Sequence, residues 1–116
     1  MKVAERILIT GISKGIGKAL AVDLVQRGYE VYGTARHPEK IKDKIEGVTY
    51  IPLDLSDEAS IVQCYESQPD IEVLINNAGQ SQMGPAEEIH NDKVREIFEV
   101  NFFGTMSLTK KYLGQM

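Results

Sequence analysis

The chain has 116 residues, 42% of them hydrophobic, which suits one packed domain and excludes a disordered tail. Its 13 basic and 17 acidic residues leave a net charge of −4, so no basic face for nucleic acid is expected and any partner must be sought in a built site. No apolar run reaches the roughly 18 residues of a membrane span, and Gly11 with Lys14 interrupts the first run before it makes a signal-peptide core. A cytoplasmic protein that binds neither membrane nor nucleic acid is the expectation.

Ile7 to Thr10 reads as a short buried strand, and from Gly15 the apolar positions Ile16, Leu20 and Leu24 predict a helix with one inward stripe. Arg27 and Gly28 close that helix, a cation in the last turn followed by a C-cap glycine. Tyr29 to Ala35 is a second strand. His37-Pro38 opens a short helix through Ile41 and Ile45, Gly47 ends it, and Val48 to Leu53 forms strand three. Ser56 is placed to cap the next helix, with Asp57 and Glu58 in its first turn and Pro69 past its end. The single cysteine, Cys64, lies in this helix as core filler; it permits no internal disulfide and fits a reducing compartment. Ile71 to Ile75 is strand four, and a long helical pattern runs from Asn91 through Val94, Ile97, Phe98, Phe102 and Met106.

Strands alternating with helices in this way build a parallel sheet covered on both faces. Pro52 cannot donate to a sheet ladder, so strand three belongs at an edge. The doubly wound order 3-2-1-4 puts it there, giving a Rossmann-like α/β fold over residues 1–116. Strand four is apolar and has no fifth strand beside it, as though half a sheet were present.

Within ITGISKGIG, Gly11 suits a tight turn, Gly15 a close approach of backbone to ligand, and Gly17 the packing of helix on strand. Free N–H groups at the helix start, at the positive end of its dipole, then suit a phosphate; a glycine turn without ligand is the alternative. The residue that reads the adenosine ribose in dinucleotide folds comes about 20 positions later, and Ala35-Arg36 stands there. An aspartate would repel a 2′-phosphate, whereas a guanidinium suits one, and Lys14 adds a second cation. NADP(H) is therefore expected over NAD(H), unless both cations are merely solvated. His37 and His90 lack metal-ligand spacing, and no metal site is expected.

TGISKGIG at 10–17 resembles the TGxxxGxG signature of the short-chain dehydrogenase/reductase family, and INNAG at 75–79 resembles its NNAG motif. DLSD at 54–57 and VNFFGT at 100–105 fall in matching order, so the resemblance spans essentially the whole chain. It implies that Gly11, Ser13, Lys14, Gly15, Ile16 and Gly17 surround the pyrophosphate and 2′-phosphate, with Arg36 on the latter. It also implies that Asp54 and the backbone of Leu55 meet the adenine edge. Asn76, Asn77, Ala78 and Gly79 would brace the sheet and line the adenosine side. Asn101 would support a water-linked proton relay as a catalytic residue.

The family moves hydride between a nicotinamide and a carbonyl or alcohol carbon, using a serine and a Tyr-x-x-x-Lys pair. Here Tyr29, Tyr32, Tyr50, Tyr65 and Tyr112 are followed four places on by Gly33, Arg36, Asp54, Pro69 and Met116. The expectation is the cofactor-binding N-terminal half of such an enzyme, inactive alone, its open strand edge favouring aggregation. The complete protein would be a homo-oligomer, since relatives commonly dimerise through the long helix. The alternative is a non-catalytic dinucleotide-binding module that ends at Met116.

Overall fold

The computed structural model describes residues 5–116; positions 1–4 of the expected domain lie outside the described residues. Strands β1 (Arg6–Ile9), β2 (Glu30–Ala35), β3 (Val48–Pro52) and β4 (Val73–Ile75) form one parallel sheet in the order β3-β2-β1-β4. Pro52 closes the edge strand β3, in register with Ala35, where its missing N–H leaves no gap in the sheet interior. The helices are α1 (Gly15–Gln26), α2 (Glu58–Ser67), α3 (Asn91–Phe98) and α4 (Thr105–Leu113). No helix among the described residues is long and apolar enough to cross a membrane.

Alternation along β1 divides the core between the two sheet faces. Ile7 and Ile9 join Ile12, Ala21 and Val31 on one side, under α1. Leu8 joins Ile51, Ile61, Cys64, Leu108 and Tyr112 on the other, under α2 and α4. Cys64 is core filler, as expected, and burial pushes its thiol up to about 11.

Several local expectations are corrected. Ile16 does not begin the inward stripe of α1, being 79% exposed; Gly17 and Ala21 are the buried positions, and Leu20 and Leu24 pack beside them. Ser56 does not cap α2. Its N–H and hydroxyl both go to Asp54 Oδ1, so the helix starts one residue later and Asp57 Oδ1 accepts the Ala59 N–H at 3.0 Å. The helix expected from Pro38 to Ile45 shrinks to a single 3₁₀ turn, Pro38–Lys40, because tertiary partners claim the residues after it. Asp43 pairs with Lys18, and the Ile45 N–H donates to the Tyr50 hydroxyl at 2.8 Å. Strand four is shorter than expected, although Glu72 N–H still donates to the Arg6 carbonyl at 2.9 Å.

The long helix is real but interrupted, since Glu99–Gly104 between α3 and α4 is a π-helical stretch. At Gly104 the backbone lies directly on the Leu55 carbonyl, where a Cβ would overlap it, and the Thr105 hydroxyl donates to the Val100 carbonyl at 3.1 Å.

Candidate functional site

The segment after β1 turns back over the sheet on two left-handed glycines, Gly11 at φ +74° and Gly15 at φ +65°. The three glycines differ in what excludes a side chain. A Cβ on Gly11 would lie 2.9 Å from the Ala78 Cα, one on Gly17 would overlap the Gly11 carbonyl oxygen, and one on Gly15 would meet nothing within 4 Å. Gly17 therefore seats the helix on the turn itself rather than on the strand, while Gly15 borders open space. The turn is tied to the loop after β4: Thr10 Oγ1 accepts the N–H groups of Asn77 and Ala78, both at 3.0 Å, and Asn77 Nδ2 donates to the Gly11 carbonyl at 2.9 Å.

Helix α1 begins without a capping side chain, Lys14 making no such bond, and with no acidic residue in its first turn. Its leading N–H groups and positive dipole end are thus left for an anion. Beside them, Lys14 and Arg36 are exposed and form no ion pair among the described residues, in contrast to Lys18, which Asp43 neutralises.

Opposite lies the turn after β3. Asp54 Oδ1 accepts from the Ser56 N–H at 2.9 Å and the Ser56 hydroxyl at 2.6 Å. The Ser56 hydroxyl, then its N–H, and more weakly Arg36 and His37, hold the Asp54 carboxyl below the usual carboxylate range against a smaller upward push from burial.

These segments enclose a cleft of about 690 Å³ at the carboxyl ends of the strands, where parallel sheets place their ligands. Gly11, Ser13, Lys14, Gly15, Arg36, Asp54, Leu55, Asn77, Ala78 and Gly79 all line it. Ile16 and Gly17 do not; they form the first turn of α1 behind the loop. Asn101 stands back from it as well, and it is exposed rather than buried in its helix. Its amide has a partner that the sequence does not reveal: Oδ1 accepts the Gln80 N–H and Nδ2 donates to the Gln80 carbonyl, both at 2.7 Å. The π-helical stretch carries the residue that makes this clasp.

Thr34, Gln80, Ser81, Lys93, Glu96 and Val100 also line the cleft, beyond the residues expected from sequence. Thr34 stands near the end of β2, two residues before Arg36, and Lys93, Glu96 and Val100 are spaced to share one helical face, so their spacing is a usable signal. Gln80 offers none; its Oε1 is buried without a hydrogen-bond partner among the described residues. None of the tyrosines reaches the cleft. Tyr112 is fully buried with its hydroxyl donating to the Gln68 carbonyl at 3.0 Å.

Comparison with known proteins extends these observations. The chain is 32% identical over 123 residues to an NADPH-dependent 1-acyldihydroxyacetone phosphate reductase of Schizosaccharomyces pombe, covering 100% of this chain and 42% of that protein. It superposes on a short chain dehydrogenase of Burkholderia cenocepacia in complex with NADP at a TM-score of 0.84 and 30% identity, covering 96% of this chain and 48% of that one. A short chain dehydrogenase of Leptospira borgpetersenii with bound NAD+ shares the fold at a TM-score of 0.84 and 24% identity, with coverages of 96% and 45%. The chain thus spans less than half the length of these proteins. The family model for short chain dehydrogenases matches residues 5–116, and the chain belongs to that family.

Proposed function

We propose that this chain forms the coenzyme-binding part of an NADP(H)-dependent oxidoreductase that interconverts a carbonyl compound and an alcohol. The observation that carries this reading is the uncapped, acid-free start of α1 opening on a cleft beside Lys14 and Arg36, two cations without an ion-pair partner among the described residues. When bound, the nicotinamide supplies or accepts the hydride.

The chain's own residues hold and orient it. N–H groups from Ser13 to Ile16 receive the diphosphate, with Gly17 closing the turn behind them. Arg36, with Lys14, neutralises the 2′-phosphate by charge-assisted hydrogen bonds. Asp54 keeps Oδ2 for the adenine edge, beside the Leu55 backbone, and Asn77, Ala78 and Gly79 form the wall that the Thr10 and Asn77 bonds hold against the glycine turn. Asn101, clasping Gln80, retains one lone pair and one N–H for the water-linked relay that the family resemblance implies. In the same reading the protein works in the cytoplasm as a homo-oligomer.

A non-catalytic dinucleotide-binding module would bind coenzyme through the same cleft without turning over a carbonyl compound. Coenzyme titration of the protein as its gene encodes it, with Arg36→Asp alongside, tests the cofactor assignment. NADPH is expected to bind more tightly than NADH, and Arg36→Asp to move that ratio by roughly tenfold or more toward NADH. Equal affinities in the unmutated protein overturn the preference. Carbonyl-dependent oxidation of bound NADPH separates the enzyme from the module.

A further inference from the structure

The two N–H groups that open the glycine turn do not face the cleft. Gly11 N–H donates to Thr34 Oγ1 at 3.1 Å, and Ile12 N–H donates to the Thr34 carbonyl at 3.0 Å. One residue of β2 thus takes both, and it is only 2% exposed at the cleft floor. The close approach is possible because the preceding Gly33 has no side chain; a Cβ there would overlap the Ile12 side chain. Arg36 follows two residues on, just past the end of β2, so one short segment carries both a clamp on the turn and the cation proposed for the 2′-phosphate.

We infer that Thr34 is a positioning residue that selects which N–H groups of the turn are presented to the diphosphate. By binding Gly11 and Ile12 it leaves Ser13 onward for the ligand and holds Gly11 at its left-handed φ. This inference rests on the dinucleotide reading above. Without the hydroxyl, the Gly11 N–H loses its acceptor in a partly buried position, and the turn relaxes to find another. The effect is carried by phosphate geometry, so it falls alike on both coenzymes and spares a ligand without phosphate.

The test is binding of NADPH, NADH and adenosine to the protein as its gene encodes it and to Thr34→Val, Thr34→Ala and Thr34→Ser. Thr34→Val and Thr34→Ala are expected to weaken both coenzymes by the same factor, roughly tenfold, with adenosine affinity unchanged. Thr34→Ser, which keeps the acceptor, restores both. Unimpaired coenzyme binding by Thr34→Val, a Thr34→Ser as weak as Thr34→Val, or an equal loss for adenosine overturns the role of Thr34 while leaving the dinucleotide reading intact. An unmutated protein that binds neither coenzyme overturns that reading, and the role of Thr34 with it.

Discussion

The glycine turn and the long helical segment 91–113 stand at opposite extremes of self-sufficiency. In the turn, backbone partners lie within the same few segments: Thr34 receives Gly11 and Ile12, Thr10 receives Asn77 and Ala78, and the Gly11 carbonyl accepts from the Asn77 amide. The helical segment is satisfied on one side only. Val100, Leu108 and Tyr112 are buried against the sheet and α2, yet Phe98, Phe102 and Phe103 are each more than half exposed, and Phe102 and Phe103 pack edge to face in solvent with centroids 5.1 Å apart. The contrast teaches where a substitution should be felt as lost stability and where as altered association.

The largest effect is expected where the turn tolerates no atom. Gly17→Ala should lower the unfolding free energy by about 3 kcal/mol in urea titration, despite alanine's better helix propensity, since its Cβ has only backbone and the Asn77 amide to displace. Gly15→Ala meets open space and carries only the left-handed backbone cost of about 1–2 kcal/mol. Equal costs at the two positions would erase the distinction between packing and approach.

Next comes the buried side of the helix. Burial raises the Cys64 thiol from its ordinary 9.0 to about 11 and raises the Tyr112 phenol as well, so both groups hold protons more tightly when folded. The thiol's stabilisation is complete below pH 9 and is lost as pH climbs toward about 11, at up to about 1.4 kcal/mol per pH unit, while the phenol's begins to be lost only above pH 10. Unfolding midpoints across that window check the slope, and Cys64→Ala should flatten it. Tyr112→Phe removes the bond to the Gln68 carbonyl and should cost about 1 kcal/mol.

The exposed side should give the smallest change in stability. Phe102→Ser is expected to move the unfolding free energy by no more than about 0.5 kcal/mol while reducing any concentration-dependent association seen by sedimentation. A larger loss would mean that this face is packed within the chain after all.

The same contrast explains what is legible without coordinates. The glycine turn can be read because its demands are local: a left-handed φ, a close helix and a free helix start each ask for one residue type at one place. Pro52 locates the sheet edge for the same reason. Ile16 misleads because four-residue spacing fits two adjacent helix faces, and only the contact of Gly17 with the turn decides between them. Ser56 and Asp57 are both good caps, and capture of Ser56 by Asp54 chooses the second. The clasp of Asn101 on Gln80 joins residues 21 positions apart through a π-helical stretch that no short-range pattern announces. Thr34 escapes notice although its spacing from Arg36 points to it, because a threonine in a strand passes as an ordinary β-former.

The most direct test of the proposal that this cleft holds the coenzyme is to monitor backbone amide chemical shifts as NADPH is added to the protein as its gene encodes it. Large shifts are expected at Ser13, Lys14, Gly15 and Ile16, with only small ones at Gly11 and Ile12, whose N–H groups Thr34 holds. Saturating NADPH that leaves Ser13 to Ile16 unmoved would contradict the account.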